Sequence, residues 1–461
     1  KKGVNLIYLG GTSPQRFGEH LRLAEKYGMK LIPQLDFAYF MPNWDENQVN
    51  YNAMRAGEFI SKYGHYPQVI AWSVKEEVAA KDIYRLAEYY KKILLYAPDA
   101  RFELSNNNVN AATNEPPPNP VIAGAPFYVF YWTECGDGYL ASPAFSLRWA
   151  RGQAAKYYEQ AAVRRADFLF ITTQGGMLMP EYANIYAKHP EKISYPQSES
   201  EKAKLRAKIL TFAEEGRMGW KKITTDKGDF YNVWQYYRLP GNCMKAMAWI
   251  GVLEGAKMFL CWHYAPPTRD LLNASVRDIT IEDKPQKGVT WWTLAGRPGK
   301  PNPQLDEFGE ASKEIRSYER IITRMTKLAE SVVQTKEQYI YNNAFSLPDV
   351  KGKVIVIQNS NVGTWPHNSR YIFKPSDMIY IDDEGNLVDY VPYKEPLAVH
   401  FSFVGANPDT QSGVFDIKSG KELLKKAGEY EVSILPGSGT LIFIGSSQEA
   451  DILHKMAAAE N

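Results

Sequence analysis

The stretch YGHYPQVIAWSVKEEV, residues 63–78, contains the pattern that decides the fold. It begins at the end of an amphipathic helix, passes a proline, and continues as a short apolar strand that carries Trp72. Two acids, Glu76 and Glu77, follow directly where that strand is predicted to end. A strand between helices with carboxylates at its tip is typical of α/β folds that bind substrate at the carboxyl ends of parallel strands.

The same alternation of strand and helix patterns extends from about residue 3 to residue 266. The apolar strand patterns are GVNLIYLGG, MKLIPQLDF, QVIAWSVKEE, RFELSNNN, PFYVFYWTE, DFLFITTQ and KMFLCWHY. Alternation of this kind implies parallel strands joined by right-handed crossovers. We therefore predict an α/β fold, a (β/α)8 TIM barrel whose first strand is expected before Lys1. An open, doubly wound sheet is the alternative.

Beyond residue 337 the pattern changes to β-rich runs separated by turn sequences such as DDEGN and KSGK. Such spacing predicts an all-β sandwich that follows the barrel. The predicted domains are a catalytic barrel over 1–310 with an insertion at about 177–230, a linking helix over 311–336, a β-sandwich over 337–448 and a tail over 449–461.

Composition excludes several classes of function. The chain has 461 residues with a formal net charge of +2 and no long basic run, so we predict no nucleic-acid partner. No apolar run reaches transmembrane length, so we predict no membrane span. The three cysteines and seven histidines show no metal-ligand spacing, and nucleotide-binding motifs are missing, so we predict no metal and no cofactor. The sequence does not determine the oligomeric state.

Residues 63–78 resemble the clan A glycoside hydrolases, which are (β/α)8 barrels whose fourth strand carries the pattern P-x-h-h-x-W-x-x-x-N-E, where h is hydrophobic. On that pattern Trp72 matches the tryptophan, and Glu77 matches the acid/base glutamate. Glu76 stands where the clan has an asparagine that binds the sugar 2-hydroxyl, which is a departure. The segments RLAEKYGMKLIPQLDF and RLPGNCMKAMAWIGVLEGAKMFLCWHY resemble further parts of the same barrel. The resemblance covers about 260 residues.

The resemblance implies a glycosidase that cleaves a β-linked polysaccharide or oligosaccharide with Glu77 as acid/base. Such cleavage needs a second carboxylate, which in the clan follows strand seven. Here DFLFITTQ places Gln174 at that position. Three explanations stay open: glutamine has replaced a nucleophilic glutamate, the second acid comes from elsewhere, with Glu134 or the insertion favoured, or the barrel binds glycan without turnover.

Aromatic side chains that stack on sugar rings, and polar groups that fix hydroxyls, are expected around the same strand ends. Trp72 is expected to form an apolar wall beside Glu77, and Arg238 to meet an anionic group on a sugar or to form a salt bridge. An enzyme acting on polymeric glycan is expected to be secreted or periplasmic. The predicted substrate-binding residues are Asp36, Glu76, Asn106, Tyr128, Trp132, Arg238, Trp262 and His263.

Overall fold

The computed structural model of this chain describes residues 4–75, 82–105, 120–127, 143–163, 165–173, 175–176, 219–225, 228–234, 237–238, 242–262, 279–281, 284–286, 304–364, 370–371, 380–381, 387–388, 391–404 and 412–458. The chain divides into two compact units. The first unit comprises Lys1–Phe127, Arg151–Ile171 and Glu254–Leu260, and the second comprises Tyr128–Ala150, Thr172–Leu253 and Cys261–Asn461.

The first unit contains helices that alternate with parallel strands. With elements numbered along the chain, its helices are α1 (Phe17–Tyr27), α2 (Glu46–Tyr63), α3 (Ile83–Leu94) and most of α4 (Pro143–Val163). Its strands are β1 (Leu6–Leu9), β2 (Lys30–Pro33), β3 (Phe102–Ser105), β4 (Pro120–Phe127), and most of β5 (Asp167–Thr173) and β10 (Met258–Trp262). The single-turn 3-10 helix Asp36–Ala38 follows β2.

Strand neighbours in the first unit follow chain order. β1 pairs in parallel with β2, and β3 pairs in parallel with β4. The 69–73 segment lies between β2 and β3, because parallel bridges join Leu31 to Val69 and Trp72 to Phe102. β3, β4, β5 and β10 then form one sheet in that order. A doubly wound sheet reverses its strand order, which this succession does not do. Since β1 and β10 are not paired within the described residues, closure of a barrel stays a prediction.

Helices α1, α2 and α3 cover one face of β2, the 69–73 segment and β3. Gly28 ends α1 in the left-handed conformation with φ 62°, as its place after the apolar helix pattern predicts. Asp45 caps α2 by accepting a hydrogen bond from the backbone N–H of Gln48. Alternate strand residues and the inner sides of α1, α2 and α3 then form one apolar core cluster, which includes Phe17 and Leu86.

The second unit is richer in strands. Its helices are α5 (Cys243–Leu253), α6 (Gln304–Arg316), α7 (Glu319–Ile322) and α8 (Ser447–Ala458). Its two-stranded sheets are β6 (Gly175–Gly176) with β9 (Tyr237–Arg238), β7 (Gly219–Thr225) with β8 (Gly228–Trp234), β11 (Ile279–Ile281) with β12 (Lys284–Gln286), and β17 (Gly363–Thr364) with β21 (Val391–Pro392). A small three-stranded sheet contains β18 (Arg370–Tyr371), β19 (Tyr380–Ile381) and β20 (Leu387–Val388).

Two larger antiparallel sheets share one core. The first has the order β13 (Thr326–Lys327), β15 (Ile340–Leu347), β16 (Val350–Asn359), β26 (Gly439–Gly445), β23 (Gly413–Asp416) and β24 (Lys421–Glu422). The second has the order β14 (Val333–Thr335), β22 (Leu397–Phe403) and β25 (Tyr430–Ile434). Side chains from both sheets form one apolar cluster, as Ile357 on β16 and Phe401 on β22 illustrate. The two sheets therefore form two layers around a common core.

Several observed elements differ from the sequence predictions. The linking helix predicted over 311–336 is α6 followed by α7, and the chain then forms β13 and β14, because the β-branched residues after 325 pair with the two sheets. The predicted tail contains α8, whose residues Ala450 and Leu453 are buried. β4 includes Pro126 and Phe127, the first two residues of the strand predicted over PFYVFYWTE, and begins six residues earlier, while residues 128–134 lie outside the described residues. Most of the insertion predicted at 177–230 lies outside the described residues.

Candidate active site

The parallel strands of the first unit end at one edge, and polar residues follow them. Gln34 follows β2, and the 69–73 segment continues into Val74 and Lys75. The predicted acid/base Glu77 comes two residues after Lys75, and the predicted amide Asn106 comes directly after β3. Parallel strands bring their carboxyl ends to the same edge, which is where α/β folds bind ligands.

Asp36 links two turns at this edge. The backbone N–H groups of Gly11 and Thr12 donate to its carboxyl group, which ties the turn after β1 to the turn after β2. Desolvation raises the pKa of Asp36 above its ordinary value, and the two backbone hydrogen bonds oppose that rise. The carboxyl group of Asp36 therefore has a structural task, while its contact with substrate stays a prediction.

A row of polar side chains crosses the face of the strands that points away from the helices. Parallel bridges pair Gln34 with Ser73 and Trp72 with Phe102, so Glu103 lies opposite Ser73. Successive strand residues point to opposite faces. Trp72 and Phe102 belong to the helix-facing core cluster, so Ser73 and Glu103 point to the other face. We call Gln34, Ser73 and Glu103 the polar row.

Two members of the polar row, Ser73 and Glu103, are buried, and Gln34 is half-buried. Ser73 and Glu103 are both 0 % exposed. The hydroxyl of Tyr8, on β1, donates to Ser73 Oγ at 2.6 Å. The hydroxyl of Tyr90, on α3, donates to the backbone carbonyl of Glu103 at 3.1 Å. Burial, followed by the charge of Glu103, raises the pKa of Tyr90 well above its ordinary value. A carboxyl group buried at this depth is expensive unless its surroundings are arranged for it.

Trp72 does not form the apolar wall expected beside Glu77. Its ring packs on the helix side, with centroids 5.7 Å from that of Phe17 and 5.8 Å from that of Phe59. Strand alternation explains the difference, because Trp72 precedes the inward-pointing Ser73 and therefore points outward. The tryptophan of the sequence pattern is a core residue in this structure.

A cation lies over an aromatic ring at the same edge. Lys75 Nζ is 4.8 Å from the ring centroid of Tyr39, which follows the 3-10 helix after β2. The attraction between an ammonium group and a ring face at this distance stabilises such a pair. Lys75, which comes two residues before Glu77 in the sequence, is thus in contact with the turn that follows β2.

In the second unit, β9 brings Arg238 beside a residue that follows a predicted catalytic position. The antiparallel register pairs Arg238 with Gly175, the residue directly after position 174. Arg238, predicted for substrate binding, is thus paired with the residue that follows the predicted catalytic position in the sequence. Trp262 is the last residue of β10, as the strand pattern predicts.

The remaining predicted site residues lie outside the described residues. Of the predicted set, Asp36 is described with its side chain, and Arg238 and Trp262 are described by their backbone. The predicted residues outside the described ranges are Glu76, Glu77, Asn106, Tyr128, Trp132, Glu134, Gln174 and His263.

Sequence reasoning missed the polar row, although RFELS contains a usable signal. Glu103 alternates with the apolar Phe102 and Leu104, which is the pattern of a strand with one solvated face. Parallel strands in α/β folds are instead covered on both faces, so a charged residue inside such a strand points to a buried polar site.

The described ranges contain neither a metal-ligand cluster nor a membrane-spanning helix. These residues contain no group of three or more His, Cys, Asp and Glu side chains arranged to hold a metal ion. No helix among them combines the length and apolar character that crossing a bilayer requires.

No family model matches the chain, and no curated protein matches it. Several solved structures are similar over most of its length at low identity. One, named "Glycoside hydrolase", is 11% identical, with a TM-score of 0.41 over 94% of this chain and 77% of that one. AmyP in complex with maltose is 9% identical, with a TM-score of 0.40 over 93% of this chain and 77% of that one.

A third similar structure is alpha-L-fucosidase isoenzyme 1 from Paenibacillus thiaminolyticus. It is 10% identical, with a TM-score of 0.39 over 93% of this chain and 75% of that one. Likeness at this level assigns no family, so the function of the chain is argued from its own residues.

Proposed function

We propose that this chain is a glycoside hydrolase that cleaves a β-linked polysaccharide or oligosaccharide, with Glu77 as proton donor. The observation that supports the proposal is the position of the 69–73 segment, which bridges β2 at Leu31 and β3 at Phe102 in parallel. The segment carrying the clan A pattern is thus a strand between two parallel strands, and Glu77 follows its carboxyl end. Catalytic groups of (β/α)8 enzymes occupy such strand ends.

The proposed reaction needs two carboxyl groups with different tasks. One carboxyl group must be protonated, so that it donates to the leaving oxygen, and the other must be ionised, as nucleophile or base. We propose Glu77 for the first task. For the second we propose Glu134 or an acid of the 177–230 insertion, with position 174 as the site where clan members carry the nucleophile.

We further propose a closed (β/α)8 barrel, a β-sandwich formed by the two larger sheets, and action outside the cytoplasm. The chain-order succession of strands supports the first, and the shared core of the two sheets supports the second. The proposed polymeric substrate is the reason for the third.

The test is hydrolysis of neutral and anionic polysaccharides, and of aryl β-glycosides, by the wild-type chain, Glu77→Gln and Gln174→Glu. Loss of a general acid costs roughly 10²–10⁴-fold in rate, so Glu77→Gln should lose that much on unactivated substrates. Glu88→Gln is the matched control, because Glu88 is an exposed helix residue that pairs with Lys91. Its activity should equal that of the wild type.

The outcomes separate the alternatives. If the wild-type chain hydrolyses substrate and Gln174→Glu brings no gain, the second acid lies elsewhere, and Glu134→Gln is the next variant. If Gln174→Glu alone is active and needs Glu77, position 174 is a disabled nucleophile site. If glycans bind and neither protein cleaves them, the hydrolase proposal fails and a glycan-binding barrel without turnover replaces it.

A further inference from the structure

We propose that Lys75 and Tyr39 form a subsite at the carboxyl edge of the first unit's strands, and that this subsite binds an acidic group of a glycan, a carboxylate or a sulfate. The inference rests on the proposed function, because it names the class of glycan that the same strand ends would receive. It starts from the contact between Lys75 Nζ and the ring of Tyr39, whose centroid is 4.8 Å away.

The turn that carries Tyr39 is fixed by its buried neighbours. The hydroxyl of Tyr89, on α3, donates to the carbonyl of Ala38 at 2.8 Å. The ring of Phe40 packs on that of Tyr89, with centroids 5.4 Å apart. Ala38 and Phe40 are buried, whereas Tyr39 between them is half-buried. The core therefore holds the two flanking residues and leaves the ring of Tyr39 partly at the surface.

The segment that carries Lys75 is tied to the same turn through the main chain. The N–H of Leu35 donates to the carbonyl of Ser73 at 2.8 Å, and the N–H of Phe40 donates to the carbonyl of Val74 at 2.7 Å. Val74 is 0 % exposed, and Lys75, the next residue, is half-buried. Backbone hydrogen bonds thus bring the lysine and the tyrosine together at the edge where α/β folds bind ligands.

Two other lysines of the first unit lie over a tyrosine ring, and they show what is particular to Lys75. Lys62 Nζ is 5.1 Å from the ring centroid of Tyr63, and Lys26 Nζ is 5.4 Å from that of Tyr27. Each of these pairs joins neighbours in the sequence at the last residue of a helix. Such neighbours meet without any tertiary contact, whereas the Lys75 contact is assembled by the fold from two segments.

The ring contact leaves Lys75 able to bind an anion. The ring face attracts the positive charge of the ammonium group. Lysine has three N–H donors and no acceptor, so donors remain for a ligand oxygen. Among the described residues no carboxylate forms an ion pair with Lys75. Asp36, on the same turn, accepts from the backbone N–H groups of Gly11 and Thr12. A charged oxygen is the stronger acceptor for these donors, which favours an acidic group over a sugar hydroxyl.

The test measures how strongly the full chain is retarded in native gels that contain one of three polymers on the same β-glucan backbone. Carboxymethylcellulose carries carboxylates, cellulose sulfate carries sulfates, and hydroxyethylcellulose is neutral. Lys75→Met removes the charge and keeps an unbranched side chain, Lys75→Arg keeps the charge, and Tyr39→Leu removes the ring. Lys62→Met is the matched control, because it makes the same charge change at a lysine that also lies over a tyrosine ring.

We expect Lys75→Met to weaken binding to at least one acidic polymer by about tenfold, because a hydrogen bond to a charged group contributes roughly that factor or more in affinity. Tyr39→Leu should weaken it by about two- to fivefold, which is what an exposed contact between a cation and a ring supplies. Lys75→Arg should bind more tightly than Lys75→Met. Added salt should reduce these differences, because it screens the charges.

The neutral polymer and Lys62→Met decide the result. Both acidic polymers should bind Lys62→Met as they bind the wild type, and hydroxyethylcellulose should not distinguish Lys75→Met from the wild type. An equal loss on the neutral polymer would overturn the inference, because it would show that Lys75 supports the fold or pairs with Glu76 or Glu77, which follow it in the sequence.

Two further results would overturn the inference: a wild-type chain that binds neither acidic polymer, and a Lys75→Met variant that binds both as Lys62→Met does. Tyr39→Leu tests the same subsite if Lys75→Met folds poorly. The proposed function fails separately, when the wild-type chain cleaves no glycan. A chain that binds an acidic polymer through Lys75 and cleaves nothing would keep the subsite and lose the hydrolase proposal.

Discussion

At the scale of single residues, Gly11 shows how backbone conformation supports the candidate site. It adopts φ 69° where its N–H and that of Thr12 donate to the Asp36 carboxyl group. A side chain in the left-handed region costs about 1–2 kcal/mol, because Cβ approaches the following carbonyl oxygen. Gly11→Ala should therefore lower the free energy of unfolding by about that amount, as measured by chemical denaturation.

Gly10→Ala is the matched control for this prediction. Gly10 does not have a positive φ, and an added Cβ would lie 3.6 Å from Gln34 Oε1, which is an ordinary contact. Equal destabilisation by the two substitutions would contradict the argument, because it would show that side-chain volume, and not backbone conformation, is what the turn resists.

His400 gives the second unit a pH-dependent interaction. Its Nδ1 lies 2.8 Å from Glu337 Oε1, and its Nε2 lies 3.4 Å from Glu431 Oε2. The hydrogen bond with Glu337 is the main cause that raises the pKa of His400; burial opposes it, and the charges of Glu337, Glu431 and Glu429 add to the rise. For Glu337, desolvation raises the pKa, but the hydrogen bonds from His400 outweigh it, so the pKa is lowered.

The sign of the pH effect follows from these directions. A histidine pKa raised by folding stabilises the protein below the unfolded pKa of about 6.5, and the contribution is lost as pH rises through the folded value. A lowered Glu337 pKa stabilises above about pH 4.3 and is lost as pH falls. His400→Gln should therefore lower Tm more at about pH 6 than at about pH 9.

Thermal unfolding of His400→Gln and the wild type at the two pH values is the measurement. His65→Gln serves as control, because the His65 ring lies against Tyr66 in the first unit, with centroids 4.5 Å apart. If the Tm difference between His400→Gln and the wild type were the same at both pH values, the ion pair would not contribute in the way the geometry implies.

At the scale of elements, the described strands and helices show what periodicity predicts and what it misses. DFLFITT is observed as β5 and the amphipathic pattern after Arg16 as α1, because both patterns are regular along their length. β4 begins six residues before the predicted strand, because Gly124 interrupts the apolar run that forms it. The burial of Glu103 was not predicted, because alternation along a strand shows which residues share a face and does not show whether that face is buried or solvated.

A partly buried ion pair joins helix α5 to α6 beside the larger sheet of the second unit. Every residue of α5 is buried, including Lys245, whose Nζ lies 2.9 Å from Glu314 Oε1 on α6. Trp249 Nε1 donates to the other Glu314 oxygen at 3.0 Å. Removing Glu314 would leave both donors without this carboxylate, whereas removing Lys245 leaves Glu314 with the indole donor.

We expect Glu314→Leu to lower the free energy of unfolding by on the order of 3 kcal/mol, because one partner of a buried pair is left uncompensated. Lys245→Met should cost less. The double variant should be more stable than Glu314→Leu alone, since it removes the stranded charge. Chemical denaturation of the three variants is the measurement, and additive losses in the double variant would contradict the coupling.

At the scale of the whole molecule, sequence reasoning identified two kinds of architecture and could not assign every segment to its unit. Residues 243–253 were predicted as a helix of the barrel, and the helix is observed as α5. In the structure it belongs to the second unit, where it packs against α6 and β16. An apolar pattern on all sides of a helix predicts that the helix is buried, but it does not predict which elements pack against it.

Two described core clusters predict that the chain responds to core changes unit by unit. Leu86 belongs to the cluster of the first unit and Ile357 to that of the second, and each is 0 % exposed. Truncating a buried leucine or isoleucine to alanine costs about 2–5 kcal/mol, and its effect reaches first the cooperative unit that contains the cavity. Hydrogen exchange should therefore accelerate in α1–α3 for Leu86→Ala, and in β15, β16 and β26 for Ile357→Ala. Equal acceleration in both sets of elements by either variant would show instead that the chain opens as one cooperative body.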